Sequence, residues 1–429
     1  MKPQTKNKIS FLLYSYFFLI ALFYPMQYVS FDSAYYTEFT FAGLFAGLLI
    51  LWTVFAYHRP VRLTDPSDRR FCCWILVLLV LYNLFSLYIN FTHSRWLWEQ
   101  FNFSLAVLFF IVLLIHGAAF FRQEPLAVSV LLVFQVVTTI LGIIVYYLGY
   151  TSVSFINGMV IPVAKDPKYY ETRFSWIYYH KSQYCFVLLL FIAFSVICRK
   201  QFKNKWFFPV SNLVFLFGIV ISHTYTALFA AVLIYAGLAL DALRSKLRTL
   251  NKKYFLLLIP PVILLAFVIW RMSRERNIWT LGSRTYIWAE GIRQILKNPL
   301  GIGTGFGPAK FSVPGISFQV YNCHNVFLNE MWRFSLPVGL LFTLIFVSIL
   351  IYSLKKKFFF LHIGIWIAFL ISLGMDYSLL GREFTLTFFY FYMIFQHFIC
   401  TIFQYICRIT VNRTGIFKTL SLLIPLFQI

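Results

Sequence analysis

Residues 71–92 read FCCWILVLLVLYNLFSLYINFT, a run without a single Asp, Glu, Lys or Arg. At 1.5 Å rise per residue, an α-helix of this length crosses about 30 Å, the thickness of a bilayer's hydrocarbon core. Arg69 and Arg70 stand before the run and Arg95 follows it. Apolar blocks of similar length recur on both sides. Working outward from 71–92, spans are expected near 9–29, 37–57, 99–121, 126–150, 180–198, 206–221, 225–243, 254–271, 335–354, 358–380 and 384–407. The expected fold class is an all-α integral membrane protein. It has about 12 transmembrane helices in a single polytopic domain over 1–429.

Composition points the same way. The chain is 60% hydrophobic and 12% charged, against about 25% charged for a soluble domain. The net charge of +23 raises the question of a nucleic-acid partner. The cations flank apolar blocks, which is the pattern of membrane topology, and no nucleic acid is expected.

Orientation follows from where those cations fall. Lys2, Lys6 and Lys8, Arg59 to Arg70, Arg122, Arg199 to Lys205, Arg244 to Lys253, Lys355 to Lys357, and Arg408, Arg413 and Lys418 share one side. That side is expected to be cytoplasmic, as are both termini, with the chain in the cytoplasmic membrane. The first apolar run lacks a small-residue cleavage site and reads as a retained helix. Residues 408–429 read as a cytoplasmic, interfacial tail. Two long extracytoplasmic loops remain, near 151–179 and 272–334. Chemistry is expected there, because long loops on a rigid scaffold carry function.

The spans hold almost no charge: Glu99 and Asp241 fall at ends, and Asp376 lies near an outer end. Ion-coupled transporters keep ionisable groups near the midplane, so that class is disfavoured. Seven cysteines form neither a CxxC metal spacing nor a paired external framework.

Lys165, Lys168, Arg173, Lys181, Arg271, Arg274, Arg276, Arg284, Arg293, Lys297, Lys310 and Arg333 gather in the two outer loops and at their edges. Snorkelling to lipid headgroups accounts for single cations. A cluster fits a pyrophosphate better, since the Arg fork matches phosphate oxygens two at a time. In the second loop, 284–297 predicts an amphipathic surface helix with Ile287, Ile292, Ile295 and Leu296 on one face, ended by Asn298-Pro299. The run Gly301-Ile302-Gly303-Thr304-Gly305-Phe306-Gly307 permits close backbone approach to a ligand or a neighbouring helix. No Walker Lys-Ser/Thr follows it, which excludes a nucleotide loop. Further on, Tyr321-Asn322-Cys323-His324-Asn325 leads into another helix. His324 is a candidate general base, its neutral form favoured by nearby cations. The alternative is a capping or interfacial histidine. Glu330 and Arg333, three apart, are expected to pair.

In this order the motifs resemble the O-antigen polymerase and O-antigen ligase family. The likeness lies in Arg173 before the sixth span, in Ser283-Arg284 to Trp288 followed by Asn298-Pro299-Leu300-Gly301-Ile302-Gly303, and in His324-Asn325. Two places differ. The family's Gly-x-x-Gly after His-Asn is here Ser335-Leu336-Pro337-Val338-Gly339. The Arg of ligase-like members before the eighth span is here replaced by Tyr225, within Ser222-His223-Thr224-Tyr225-Thr226.

The resemblance implies glycosyl transfer on the outer membrane face, from a polyprenyl-pyrophosphate-linked glycan to a sugar hydroxyl of another lipid-linked repeat unit. It implies His324 as base and Arg173 and Arg284 as pyrophosphate ligands, with Asn325, Trp288, Tyr225 and His223 in support. Trp288, Tyr321 and Trp332 are candidates to stack on sugars or anchor at the interface. No metal or cofactor is called for, because cations can stabilise a leaving group that is already good. Membrane lipid and a chain-length regulator are the other expected partners. A ligase that moves finished glycan is one alternative, and a lipid-linked oligosaccharide flippase or transporter is another.

Overall fold

The computed structural model describes residues 51–52, 66–92, 104, 108, 125–150, 152–154, 160–162, 174–176, 181–199, 206–246, 259, 262–263, 266–267, 270, 281, 283–302, 310–317, 319–355 and 360–375. The spans expected at 9–29 and 384–407, nearly all of 37–57 and 99–121, most of 254–271, and the 408–429 tail lie outside them.

The described residues are predominantly helical. In chain order they form α1 (Pro66–Thr92), α2 (Pro125–Tyr147), strands β1 (Ser152–Ser154) and β2 (Val160–Pro162), α3 (Lys181–Cys198), α4 (Phe207–Ile221), α5 (Tyr225–Lys246), α6 (Arg284–Lys297), α7 (Val326–Arg333), α8 (Leu336–Lys355) and α9 (Phe360–Met375). Among the described residues, two helices are long and apolar enough to cross a bilayer, Arg70–Thr92 and Tyr225–Leu243. Shorter apolar helices cover Leu132–Tyr147, Lys181–Ile197, Phe207–Ile221, Leu336–Tyr352 and Phe360–Met375.

Burial orders the bundle. Every residue of α3 from Lys181 to Ile197 is buried, the mark of a helix that is apolar all round and packed on all sides. It touches α2, α4 and α5. A polar bridge ties three of these together: Asn212 of α4 donates to Ser195 Oγ of α3 at 2.8 Å and accepts from Tyr235 of α5 at 2.7 Å. In an apolar bundle such contacts add specificity where lipid supplies no hydrophobic drive between helices.

A close seam joins α5 and α9. A Cβ on Gly237 would meet Phe360 O at 2.6 Å, and one on Gly364 would meet Leu233 O at 2.5 Å. Only small residues let two backbones approach this far. At the end of the seam the Asp241 carboxylate accepts from Phe360 N at 2.8 Å and Leu361 N at 3.2 Å. An α5 side chain thus satisfies the orphan donors at the start of α9. We expect Asp241→Ala to destabilise the detergent-solubilised protein by about 1–2 kcal/mol, the value of a lost cap, read as a lower unfolding temperature. An unchanged unfolding temperature would show that the cap is not needed.

α8 runs antiparallel to α1: Phe71 stacks on Tyr352 at 3.8 Å, Trp74 donates to Ser348 at 3.0 Å, and Tyr82 lies against Phe342.

The sequence reading placed no strand in the first outer loop. The structure pairs β1 with β2 antiparallel, Ser152 opposite Pro162. Strands of three residues are too short for alternation to register. The second loop builds a small apolar core of its own from Ile287, Ile295, Phe311, Val313, Val320, Cys323 and Trp332. Phe311 and Val320 exchange backbone hydrogen bonds across it at 3.0 and 2.9 Å.

α6 spans the expected residues, with a different inner face. Ile287, Glu290, Gly291 and Ile295 are buried, while Ile292 is 47% and Leu296 71% exposed. Gly291 explains the choice: its missing side chain admits Cys323 Sγ, which would lie 3.0 Å from a Cβ there. Glu290 is carried inward while its partners stay further out, and it accepts from Arg293 at 2.8 Å and Gln294 at 2.7 Å.

Candidate functional site

The turn Asn322-Cys323-His324-Asn325 is assembled almost wholly by side-chain bonds to its own backbone. His324 takes a left-handed conformation, φ 49°, which costs a non-glycine residue about 1–2 kcal/mol. Asn322 Oδ1 accepts from His324 N at 2.8 Å. Asn329, on α7, accepts from Cys323 N at 2.7 Å. Trp288, on α6, donates its indole N–H to Cys323 O at 3.0 Å. Asn325 caps α7, accepting from Leu328 N at 3.1 Å. The capping role is thus filled by Asn325, and the half-buried His324 imidazole is not the cap.

Two helices support this turn. On α6, Arg284 lies one turn before Trp288 and donates from Nη1 to Leu281 O at 3.1 Å. It follows Ser283, which is also left-handed at φ 73°. On α7, Glu330 is buried and accepts from Tyr82 of α1 at 2.8 Å. Arg333 acts on Glu330 through its charge.

Burial lifts the Glu330 carboxyl to about 7, against the opposing pull of the Tyr82 hydrogen bond and the Arg333 charge. A carboxyl raised this way holds its proton more tightly when folded. Its contribution to stability is complete below the ordinary carboxylate range and is lost as pH rises toward 7. We expect the unfolding temperature in detergent to fall between about pH 4.5 and pH 7. Glu330→Gln, fixed in the neutral form, should flatten that slope. An identical slope in the variant would assign the effect to another group.

Cys323 is fully buried and burial pushes its thiol up to about 12, so it is inert as a nucleophile. Gly301, in the glycine-rich run, is left-handed at φ +81° with Phe334 O directly over its Cα. Leu336 N donates to Pro299 O at 2.8 Å, and Ile302 N to Trp332 O at 3.2 Å. The close approach at Gly301 is to the α7–α8 junction, the second of the two options left open by the sequence.

The α4–α5 turn lies at the same end of the bundle. A Cβ on Gly374, near the end of α9, would come 4.0 Å from Asn325 Nδ2. Two residues earlier on α9, Ser372 lines a cavity of about 10 Å³ with Ser182 of α3, Thr224 of the turn and Thr226 of α5, room for one water. His223 is exposed and left-handed at φ 48°, and Tyr225 opens α5. Lys181, buried at the start of α3, donates to His223 O at 3.1 Å.

The structure thus brings His324, Asn325 and Trp288 together at one turn, leaves Arg284 one helical turn before Trp288 on α6 with its bond to Leu281 O, and sets His223 and Tyr225 at the same bundle end. Arg173 lies outside the described residues. Its neighbours Phe174 and Trp176 dock between α2 and α3: Phe174 packs on Tyr146 and Tyr184 at 5.2 Å each, and Trp176 covers Gly142. Sequence reasoning passed over Asn322, Asn329, Tyr82 and the burial of Lys181. The Asn322-Asn325-Asn329 spacing was a visible signal for the first two, since Asn favours local bonds to backbone.

No protein-family model matches the chain, and a comparison with curated proteins finds no match.

Proposed function

We propose that this protein polymerises polyprenyl-pyrophosphate-linked oligosaccharide repeat units into a surface polysaccharide on the outer face of the cytoplasmic membrane. In this reading the chain crosses the membrane about twelve times with both termini in the cytoplasm. The observation that carries it is the His324 turn: a half-buried histidine held in a strained backbone, with Arg284 on the helix that braces it. Strain retained by surrounding bonds is characteristic of functional positions.

The acceptor sugar hydroxyl attacks the anomeric carbon of the donor glycan. His324 takes the hydroxyl proton as the new C–O bond forms. The bond from the anomeric carbon to the pyrophosphate oxygen breaks, and polyprenyl pyrophosphate leaves with the electron pair. Arg173 and Arg284 meet the charge that develops on it. Tyr225 and His223 are proposed as supporting residues of the same site.

The test is a gel of surface glycans from a strain lacking the gene, with and without the wild-type chain. Polymerase activity is expected to appear as loss of long chains while single repeat units still reach their final acceptor. Finished polymer accumulating on the carrier lipid would instead mean ligase activity. Repeat units trapped on the cytoplasmic face would mean a flippase.

A further inference from the structure

We infer that Trp288 and Asn329 are positioning residues for His324, acting as two struts that hold the 322–324 backbone in its left-handed turn. The inference rests on the reading of His324 as the base. A strained φ persists only where neighbours over-determine it, and here the determinants can be counted. The peptide bonds around Cys323 are gripped on both sides, the carbonyl by Trp288 Nε1 at 3.0 Å and the N–H by Asn329 Oδ1 at 2.7 Å. The struts come from different helices, α6 and α7, so the turn cannot rotate with either one alone.

Asn329 is 2% exposed, and its Nδ2 makes no other hydrogen bond. A buried carboxamide with an unanswered donor carries a desolvation cost. The bond that its oxygen accepts from Cys323 N offsets that cost. Trp288 has its ring nitrogen engaged by protein backbone, so its hydrogen-bonding edge is not available to a sugar. Beside both, Gly291 lets the Cys323 side chain seat against α6. The Cys323 thiol is consequently a built-in reporter of whether the turn is closed.

Trp288→Phe keeps the ring and deletes the N–H. Asn329→Leu keeps the approximate volume and deletes the acceptor. Each would be made in the full chain, and alkylation by N-ethylmaleimide mapped to individual cysteines by mass spectrometry. Cys185, fully buried in α3, controls for global folding, and protein denatured before alkylation controls for reagent. Polymer formation would be measured in membrane vesicles supplied with lipid-linked repeat units extracted from the strain lacking the gene.

Expected in both variants is alkylation of Cys323 about tenfold faster or more, with Cys185 still protected. The maximal rate should fall about tenfold or more at unchanged KM, as for a displaced general base. Cys323 remaining protected in both variants, with wild-type rate, overturns the inference. So does a raised KM at unchanged maximal rate, which would make Trp288 a sugar platform. Loss of Cys185 protection as well overturns it too, since the residues would then be general packing elements. Should His324→Asn retain full activity, the functional reading fails, and Cys323 reactivity still decides whether the struts hold the turn.

Discussion

Replacing His324 with Asn is expected to reduce long surface polymer by about 10²–10⁴-fold, the usual contribution of a positioned general base. The choice of Asn matters. His324 sits at φ 49°, and alanine there adds backbone strain to the loss of the imidazole. Asn tolerates the left-handed region better than most L residues, so the variant removes the base and leaves the turn. The measurement is the glycan gel, with the amount of protein in the membrane followed in parallel. Polymer at wild-type length and amount, with the variant equally abundant, would remove His324 from the chemistry.

The second large effect is expected at Gly301. A methyl group there meets the Phe334 carbonyl, which is backbone and cannot swing away, at a φ of +81° that L side chains avoid. Gly315 supplies the control, with the same φ and open space around its Cβ position. Gly315→Ala should cost about 1 kcal/mol, the conformational term alone. Gly301→Ala should cost roughly 3 kcal/mol or more, because the 298–302 loop must lift from the α7–α8 junction. Unfolding temperatures of the two variants in detergent, compared with wild type, test this. Equal losses would mean that the loop gives way freely and that the contact with Phe334 is unimportant.

Much of this architecture is legible from apolar periodicity alone. The cores of α1, α2, α3, α4, α5, α8 and α9 lie where unbroken apolar runs predict them, because a run without charge has few other ways to satisfy its backbone in lipid. The bounds of α6 were also readable, since Asn298-Pro299 stops a helix by covalent geometry. Its inner face was not. Counting apolar residues favours Ile292 and Leu296, whereas the fold turns Gly291 and Glu290 inward. A glycine that admits a thiol and a carboxylate with partners on its own helix both score as polar or neutral in sequence.

The His324 turn was half legible. His-Asn before a helix, with asparagines at 322 and 329, is a local pattern. The Tyr82 hydroxyl on Glu330, 248 residues away in sequence, and the indole of Trp288 on Cys323 are long-range pairings. No periodicity encodes those. The expected Glu330 and Arg333 relation survives as an electrostatic influence, while the Glu330 oxygen goes to Tyr82.

The seam between α5 and α9 has a consequence in time. Asp241 and Phe360 are separated by 119 residues of chain. At synthesis rates of about 5–20 residues per second, α5 waits on the order of ten seconds for its partner. Through that interval the notch at Gly237 is unfilled and the Asp241 carboxylate has no α9 amides to bind. The helices made in between must leave that groove open, so assembly of this end of the bundle is scheduled by the ribosome. A chain interrupted before Phe360 is left with this joint unmade.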